Sequence, residues 1–194
     1  MANIAIFASG NGSNCENLIR YFNEMGTSNV SIVISNRPNA PVLKRAANLG
    51  VPALYVCKER FNDELAVTQL LSQYEIDFIV LAGFLMLVPA FIVERFAHRM
   101  VNIHPSLLPK YGGRGMYGRR VHEAVKASGD RETGITIHWV SSQYDEGDVI
   151  AQFSTPLATT DSVEDIERKV RKLEMEHFPE TIENVLKAAT SAHN

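Results

Sequence analysis

Short apolar runs alternate along the chain with longer segments in which apolar residues recur about every three or four positions. Runs of about four to eight apolar residues are typical of buried strands, and the longer period is typical of helices packed on a sheet. The runs predict strands at residues 4–8, 30–35, 52–56, 78–82 and 100–104. Helices are predicted between them at residues 14–24, 40–49, 63–74 and 89–96. This alternation indicates βαβ units, so we predict an α/β fold with a doubly wound, mainly parallel, Rossmann-like sheet.

The pattern changes after Gly118. A helix is predicted at residues 119–127, and it is followed by strands at residues 133–140 and 148–155. We expect these two strands to be antiparallel and to extend the sheet. Because no linker-like stretch separates a second unit, the sequence predicts a single domain over residues 1–194.

A long amphipathic helix is predicted at residues 162–187. Pro179 lies inside this segment and is expected to kink or divide the helix, because proline has no backbone N–H to donate. The apolar stripe of the helix consists of Val163, Ile166, Val170, Leu173, Ile182, Val185 and Leu186.

Composition limits the classes of partner. Hydrophobic residues make up 45% of the 194 residues and charged residues 21%, which is ordinary for a globular domain. The formal net charge of −3 provides no basic surface of the kind that displaces counterions from nucleic acid. The uncharged segment 78–93 is shorter than a membrane-spanning helix and contains glycine and proline. We therefore expect small-molecule substrates, and neither nucleic acid nor a membrane, as partners of a monomer or homodimer.

The cysteines and the amino terminus indicate the compartment. Cys15 and Cys57 form no C-x-x-C pair, and a domain of this length does not need a disulfide framework. Residues 3–7 enter the first strand without a basic region and an apolar signal core. The sequence therefore predicts a cytoplasmic protein.

An amide and an imidazole lie two residues apart at the end of the strand predicted at 100–104. Residues i and i+2 of an extended chain point to the same side, so Asn102 and His104 address one volume. Pro105 cannot continue a central strand, and it favours extended geometry in the residue before it. We expect the strand to end at His104 and to present both polar side chains at the rim of the sheet, where α/β folds bind substrates.

A glycine-containing loop, Ser-Gly-Asn-Gly-Ser-Asn at residues 9–14, joins the first predicted strand to the first helix. Glycine lets the backbone turn tightly and approach a ligand, and the free N–H groups at the start of a helix attract phosphate. The loop therefore predicts a phosphate cradle. The alternative is a plain tight turn in which Ser13 or Asn14 caps the helix.

A carboxylate, Asp145, lies in the turn-like segment 144–148 between the last two predicted strands. A carboxylate beside an imidazole raises the pKa of the imidazole, and a neighbouring amide can bind a developing oxyanion. Asp145 together with His104 and Asn102 would therefore provide the parts for acyl transfer. The alternative is a solvated acidic turn.

The other histidines, at positions 98, 122, 138, 177 and 193, have no H-x-x-x-H or H-E-x-x-H spacing, so we predict no metal site. We interpret each of them as a surface or packing residue, with one exception. His138 alternates with Thr136 along a strand that leads towards the turn of Asp145, and we predict that both support the site.

Several familiar motifs are absent from the sequence. A dinucleotide fingerprint needs a third glycine where Cys15 lies, and an acidic residue where residues 35–37 read Ser-Asn-Arg. A Walker-type loop would need Gly-Lys-Ser/Thr, which does not occur. No serine or cysteine lies in a G-x-S-x-G elbow, so direct attack by the substrate is favoured over a covalent acyl-enzyme.

Taken together, four motifs resemble those of the phosphoribosylglycinamide formyltransferases, a folate-dependent formyltransferase family of purine synthesis. They are Gly-Asn-Gly-Ser-Asn at 10–14, Leu-Ala-Gly-Phe at 81–84, Asn-Ile-His-Pro-Ser-Leu-Leu-Pro-Lys at 102–110 and Asp-Glu-Gly-Asp at 145–148. The H-P-S-L-L-P segment is shared with methionyl-tRNA formyltransferase and formyltetrahydrofolate deformylase, whereas the glycine loop separates the groups. The resemblance implies transfer of a formyl group from the co-substrate 10-formyltetrahydrofolate to the amine of glycinamide ribonucleotide. The alternatives are a deformylase, another formyltransferase on the same scaffold, and a non-catalytic nucleotide-binding module.

The resemblance also implies roles for individual residues. Asn102, His104 and Asp145 occupy the catalytic positions, and Glu174 matches the contact to the ribose hydroxyls. The substrate phosphate region is implied for Gly12, Ser13, Asn14, Cys15 and Glu16. Folate is implied to lie against Leu85, Met86, Leu87, Val88, Asn102, Tyr144 and Lys58, with Arg60 as the alternative basic residue. The domain would then consist of a substrate-phosphate half, about residues 1–100, and a folate and catalytic half, about residues 80–190.

The implied mechanism depends on charge. We expect Asp145 to keep His104 protonated near neutral pH, so that His104 and the Asn102 amide stabilise the oxyanion formed when the amine attacks. The sequence departs from the family pattern at Gly-Gly-Arg-Gly-Met-Tyr-Gly, residues 112–118. Its four glycines in seven residues predict either a mobile lid over the substrate or a surface insertion.

Overall fold

Strands and helices alternate through the first half of the molecule, as the apolar pattern predicts. The computed structural model describes residues 1–191. In chain order the elements are β1 (Ala2–Phe7), α1 (Ser13–Met25), β2 (Ser28–Ser35), α2 (Pro41–Asn48), β3 (Ala53–Tyr55), α3 (Lys58–Phe61), α4 (Glu64–Gln73), β4 (Phe78–Leu81), α5 (Ala90–Arg95), β5 (Met100–His104), α6 (Arg119–Ser128), β6 (Glu132–Trp139), β7 (Val149–Pro156) and α7 (Val163–Ser191).

The strands form one seven-stranded sheet in the order β3-β2-β1-β4-β5-β6-β7. Neighbours among β1 to β5 are parallel, whereas β6 is antiparallel to β5 and to β7. The predicted single-domain, doubly wound sheet with an antiparallel extension is therefore confirmed. The chain passes from β1 to β2 on one side and later enters β4 on the other, which opens a crevice at the carboxyl ends of these strands.

Both faces of the sheet are covered, which explains the continuous apolar runs of its central strands. Along β1, Ile4 and Ile6 pack with residues of α1, α2, α6 and α7. Ala5 and Phe7, which point to the opposite face, pack with residues of α3, α4 and α5. All four side chains are fully buried. The core therefore holds the carboxyl ends of β1, β4 and β5 beside one another.

Two helices differ from expectation. The sequence predicts no helix at α3, because four residues are too few to show a helical period. In the last helix, α7 continues across Pro179 from residue 163 to residue 191, so the expectation that proline divides it is wrong. Within residues 1–191, no helix is both long enough and apolar enough to cross a membrane.

The side chain of Asn17 explains how α7 tolerates its proline. In an α-helix the carbonyl of Met175 would accept a hydrogen bond from the N–H of residue 179, which proline lacks. Asn17, on α1, donates its side-chain Nδ2–H to that carbonyl at 2.9 Å. The amide thus replaces the missing donor and joins α1 to α7. The same packing buries Ile166, Ile182 and most of the predicted stripe.

We expect Asn17→Ala to lower the free energy of unfolding by about 1–2 kcal/mol, because it leaves the half-buried Met175 carbonyl without a donor. Urea unfolding measures the change, and Asn23→Ala, on the exposed side of α1, is the matched control. Pro179→Ala restores a backbone N–H at residue 179, so Asn17→Ala should cost less in that background. An equal cost in both backgrounds would contradict the proposed replacement.

Candidate active site

β5 ends as expected and carries its polar pair to the sheet rim. Asn102 and His104 belong to β5, with Ile103 buried between them, and Pro105 follows directly. His104 is 4% exposed, so its imidazole is buried although it borders a cavity. Its Nε2 lies 2.8 Å from the backbone oxygen of Tyr111. An N–H at Nε2 satisfies that carbonyl and leaves Nδ1 facing the opposite way.

The fully buried hydroxyl of Thr136, on β6, holds the turn that follows His104. Its Oγ1 donates to the backbone oxygen of Ser106 at 2.7 Å and accepts from the N–H of Leu108 at 2.9 Å. Gln152, on β7, donates its Nε2–H to the same Oγ1 at 2.9 Å. The antiparallel extension of the sheet therefore positions the segment after β5 through Thr136, and the supporting role of Thr136 in the site stays a prediction.

The turn between β6 and β7 brings Asp145 to the polar pair. Its Oδ2 lies 3.4 Å from Nδ1 of His104, and Asn102 donates from Nδ2 to Oδ1 at 3.4 Å. The backbone N–H of Gly113 donates to Oδ2 at 2.9 Å. Only 11% of the Asp145 side chain is exposed. The structure thus brings the three predicted side chains together, and the alternative of a solvated acidic turn is wrong.

His138 orients the amide of Asn102. Its Nδ1 lies 2.8 Å from the backbone oxygen of Trp139, so Nδ1 carries the proton that this carbonyl accepts. The unprotonated Nε2 then accepts from Nδ2 of Asn102 at 3.0 Å. The amide therefore turns its nitrogen, and not its oxygen, towards His138 and Asp145. Asn102 donates one amide hydrogen to His138 at 3.0 Å, and its other amide hydrogen makes only the longer contact of 3.4 Å with Asp145.

The pKa of His104 differs from the sequence-based expectation. Burial lowers it below the ordinary imidazole value, while Asp145 and the Tyr111 carbonyl raise it by less and His138 adds to the lowering. Burial also raises the pKa of Asp145, but His138, His104 and the Gly113 N–H outweigh burial and bring it below its ordinary value. The expectation that Asp145 keeps His104 protonated at neutral pH is therefore wrong for the ligand-free protein, because loss of hydration outweighs the carboxylate.

The same reasoning predicts that the ligand-free protein loses stability as the pH falls from about 7 to 5. In the unfolded chain, His104 and His122 take up protons near a pKa of about 6.5. Burial lowers the pKa of both in the folded state, so the folded protein binds fewer protons in this range. Their contribution is thus present above about pH 6.5 and is lost as the pH falls through the folded-state values.

Urea unfolding at pH values of about 7.5, 6 and 5 measures this dependence. His122→Leu removes one of the two titrating groups and should make the pH dependence shallower. A pH dependence as steep as that of the unmodified chain would show that burial of His122 does not contribute to it.

The glycine loop begins α1 without a side-chain cap. Gly12 is the N-cap with a left-handed φ of 82°, so the alternative in which Ser13 or Asn14 caps the helix is wrong. Among residues 1–191, the backbone N–H groups of Ser13, Asn14 and Cys15 find no acceptor, as expected for the first turn of a helix. Ser9 anchors the loop: its hydroxyl donates to Oδ1 of Asn36 at 2.6 Å and accepts from the N–H of Leu85 at 2.9 Å.

Two residues predicted for the phosphate region turn their side chains elsewhere. Cys15 is fully buried, and burial raises the pKa of its thiol to about 12. Glu16 forms ion pairs with Arg20 at 2.8 Å and with Arg45 at 2.5 Å. Neither residue lines the cavity at the loop, so of the two only the backbone N–H of Cys15 is free for a ligand.

A cavity of about 540 Å³ extends from the glycine loop to the polar cluster of β5. Glu174, predicted from the resemblance, lines it from α7. Burial raises the pKa of Glu174, while Asn14 and Arg171 act in the opposite direction. The residues that line this cavity include Gly10, Asn11, Gly12, Ser13, Asn14, Leu85, Asn102, His104, Tyr144, Asp145, Glu167, Arg171 and Glu174.

A smaller cavity of about 50 Å³ adjoins the cluster and brings together most residues predicted for folate. Met86, Leu87, Val88 and Tyr144 line it, and Asn102 and Asp145 line both this cavity and the larger one. Leu85 lines the larger cavity instead. Lys58 is exposed on α3, and among the described residues neither Lys58 nor Arg60 belongs to the lining of these two cavities.

A formyl transferase family model matches residues 2–182. The chain belongs to the formyl transferase family. It is 35% identical over 186 residues to the chloroplastic phosphoribosylglycinamide formyltransferase of Vigna unguiculata, covering 93% of this chain but only 59% of that relative. The phosphoribosylglycinamide formyltransferase of Bacillus subtilis is 33% identical, with 96% of this chain and 95% of the relative covered. The crystal structure of the phosphoribosylglycinamide formyltransferase from Bacillus halodurans gives a TM-score of 0.85 at 32% identity, covering 96% of both chains.

The glycine-rich segment 112–118, which departs from the family pattern, borders the larger cavity of this formyl transferase. Gly113 to Gly118 form part of the wall of the larger cavity, and Gly113 contacts Asp145. Arg120, just inside α6, stacks over the ring of Tyr117 at 5.2 Å and lines the same wall. The segment is therefore part of the candidate site rather than a remote surface insertion.

Sequence reasoning missed some lining residues of this formyl transferase. Glu167 and Arg171 lie on the cavity side of α7 with Glu174, and the intervals of four and three residues place all three on one helix face. That spacing was a signal available in the sequence. His122, interpreted above as a surface or packing residue, also lines the cavity. Within residues 1–191, no three His, Cys, Asp or Glu side chains are grouped so as to hold a metal ion.

Proposed function

We propose that this chain transfers the formyl group of 10-formyltetrahydrofolate to the amine of glycinamide ribonucleotide, in purine biosynthesis. The observation that carries the proposal is the junction of the two cavities at Asn102 and Asp145, which line both. An acceptor held in the larger cavity and a donor held in the smaller one would meet at these side chains. The names of the similar proteins from Bacillus subtilis and Bacillus halodurans support this choice of reaction.

The larger cavity suits a phosphorylated sugar. We assign the phosphate to the start of α1, where Gly12, Ser13 and Asn14 offer backbone N–H groups and the positive end of the helix dipole. We assign the ribose hydroxyls to Glu174, because a hydroxyl is a neutral donor and the carboxylate of Glu174 can accept its hydrogen bond. We propose on this basis that the substrate-phosphate half of the domain lies at about residues 1–100, with Glu174 contributed by the other half.

The smaller cavity suits a flat apolar group beside a polar edge. We assign the pterin of the donor to the surface of Met86, Leu87, Val88 and Tyr144, next to the Asn102 amide. Leu87 is 44% exposed, so a ligand there would bury apolar surface that water now covers. Lys58 and Arg60 lie outside this lining, and we assign them no part in holding the pterin.

The polar cluster performs the transfer. The amine nitrogen of the acceptor bonds to the formyl carbon, and the carbonyl oxygen becomes negatively charged. Asn102 stabilises that oxygen with the amide hydrogen that His138 leaves free. Neutral His104 takes a proton from the attacking nitrogen, and Asp145 stabilises the imidazolium that results. The bond from carbon to the folate nitrogen then breaks, and the proton passes to that nitrogen.

Loss of the formyl donor, followed with and without glycinamide ribonucleotide, tests the proposal. The proposal expects loss that depends on the acceptor and equals the amount of formylated product. Equal loss without the acceptor would indicate a hydrolase, and acceptor-dependent loss with another amine only would indicate a different formyltransferase. Absence of loss, with retained binding of the nucleotide, would indicate a non-catalytic module.

The proposed partners are these two small molecules, with no metal. We further propose a cytoplasmic location and a monomer or homodimer, as the sequence predicts; two plant relatives are named chloroplastic. Sedimentation at micromolar concentration separates the two oligomeric states.

A further inference from the structure

His122 is a buried imidazole in the wall of the larger cavity, outside the cluster described above. It lies in the first turns of α6, on the buried face with Val121 and Val125, and is 4% exposed. Arg119 binds Glu164 of α7 at 2.8 Å, so α6 is held against α7 beside this residue. The position of His122 in the cavity wall therefore follows from the packing of two helices and not from a loop.

The Nδ1 nitrogen of the His122 imidazole has no hydrogen-bond partner among residues 1–191. This nitrogen is also buried. An apolar side chain of similar size would fill this position without leaving a buried polar nitrogen unpaired. A residue that lines the larger cavity therefore carries an unused hydrogen-bonding nitrogen.

The surroundings of His122 keep it neutral. Burial lowers the pKa of His122, Arg119 and His104 lower it further, and Glu167 acts in the opposite direction. A neutral imidazole has one N–H donor and one acceptor nitrogen. It therefore suits an uncharged group of a ligand better than a phosphate or a carboxylate.

We propose that His122 contacts the substrate and hydrogen-bonds the uncharged amide that links the ribose to the amine of the acceptor. This inference rests on the proposed function. The charged phosphate is assigned to the start of α1, and the reacting amine is assigned to the cluster around Asp145. The amide lies between these two ends of the acceptor and needs a neutral partner. An acceptor that reaches from the start of α1 to the cluster of His104 and Asp145 crosses the cavity whose wall includes His122.

Steady-state kinetics of His122→Leu and His122→Met test the contact, because both remove the hydrogen-bonding nitrogens while filling the space. The KM for glycinamide ribonucleotide should rise about 10- to 100-fold, and the KM for the formyl donor should stay within about 2-fold. His122→Gln keeps a donor and an acceptor and should recover most of the loss. Glu123→Gln, the next residue of α6, is the control and should leave both constants unchanged.

Ribose 5-phosphate, used as a competitive inhibitor, identifies the part of the acceptor that His122 contacts. It has the sugar and the phosphate but no amide, so its inhibition constant should be the same in the unmodified chain and in His122→Met. An equal loss of affinity for inhibitor and substrate would overturn the assignment to the amide. Unchanged KM for the acceptor in both apolar variants would overturn the contact itself, whereas an unmodified chain that transfers no formyl group would contradict the proposed function.

Discussion

Replacing Asp145 with asparagine should lower kcat by about 100-fold or more while the chain remains folded. Asparagine keeps the size of the side chain and can still accept from the Gly113 N–H, which contacts Oδ2 at 2.9 Å. It lacks the negative charge that lies 3.4 Å from Nδ1 of His104. Without that charge, the imidazolium formed when His104 takes the amine proton is buried with no counter-charge. The loss therefore falls on the transition state, and KM for both substrates should change little.

Initial rates of acceptor-dependent loss of the formyl donor measure this effect. Asp148→Asn, in the same turn but exposed, is the matched control and should retain normal turnover. Asn102→Ala, which removes the amide hydrogen assigned to the oxyanion, should lower kcat to a similar extent. Turnover of either Asp145→Asn or Asn102→Ala within about 3-fold of the unmodified chain would remove these residues from the proposed mechanism.

Gly12→Ala should both destabilise the protein and weaken its binding of the phosphate. The φ of Gly12 is 82°, a region that L side chains rarely adopt, and an added Cβ would lie 2.5 Å from Cγ2 and 2.9 Å from Cα of Val42. The left-handed conformation costs about 1–2 kcal/mol, and overpacking against α2 costs about 1–3 kcal/mol more. Relief of the clash would move the start of α1, and its free N–H groups would move with it.

We therefore expect the free energy of unfolding of Gly12→Ala to fall by roughly 2–5 kcal/mol and the KM for the phosphorylated acceptor to rise about 100-fold. Gly10→Ala is the matched control for stability, since no atom lies within 4 Å of its added Cβ. Urea unfolding and steady-state kinetics of both variants provide the measurements. A Gly12→Ala chain as stable as Gly10→Ala, with normal KM, would show that the turn adapts and that the cradle does not depend on Gly12.

The sheet was predictable because its strands bury both faces. Along β1 and β4, every residue from Ile4 to Phe7 and from Phe78 to Leu81 packs into the core, so a continuous apolar run marks each strand. The doubly wound class followed from the alternation of strands with helices. By contrast, α3 has only four residues and no period to detect. α7 continues across Pro179 with the help of Asn17, which donates to the Met175 carbonyl 158 positions further along the chain.

The candidate site was likewise predictable only in part. The pairing of Asn102 with His104 was predictable, because a strand places residues i and i+2 on one side, and Pro105 ends that strand. The side chains of Cys15 and Glu16 were assigned to the phosphate region, although one lies in the core and the other binds arginines. Cys15 and Glu16 directly follow residues 12–14, which line the larger cavity. The direction of each side chain, however, depends on which elements pack against α1.

Near neighbours in the chain fix the doubly wound class, the glycine turn before α1 and the polar end of β5, so these features could be predicted from the sequence. Three other features required the folded molecule: Asp145 meets Asn102 across 43 positions, burial lowers the pKa of His104, and His122 borders the larger cavity. They could not be predicted because desolvation and long-range contact are properties of the packed molecule. A local pattern carries information on the direction of a backbone, but not on the distant groups that exclude water from a side chain.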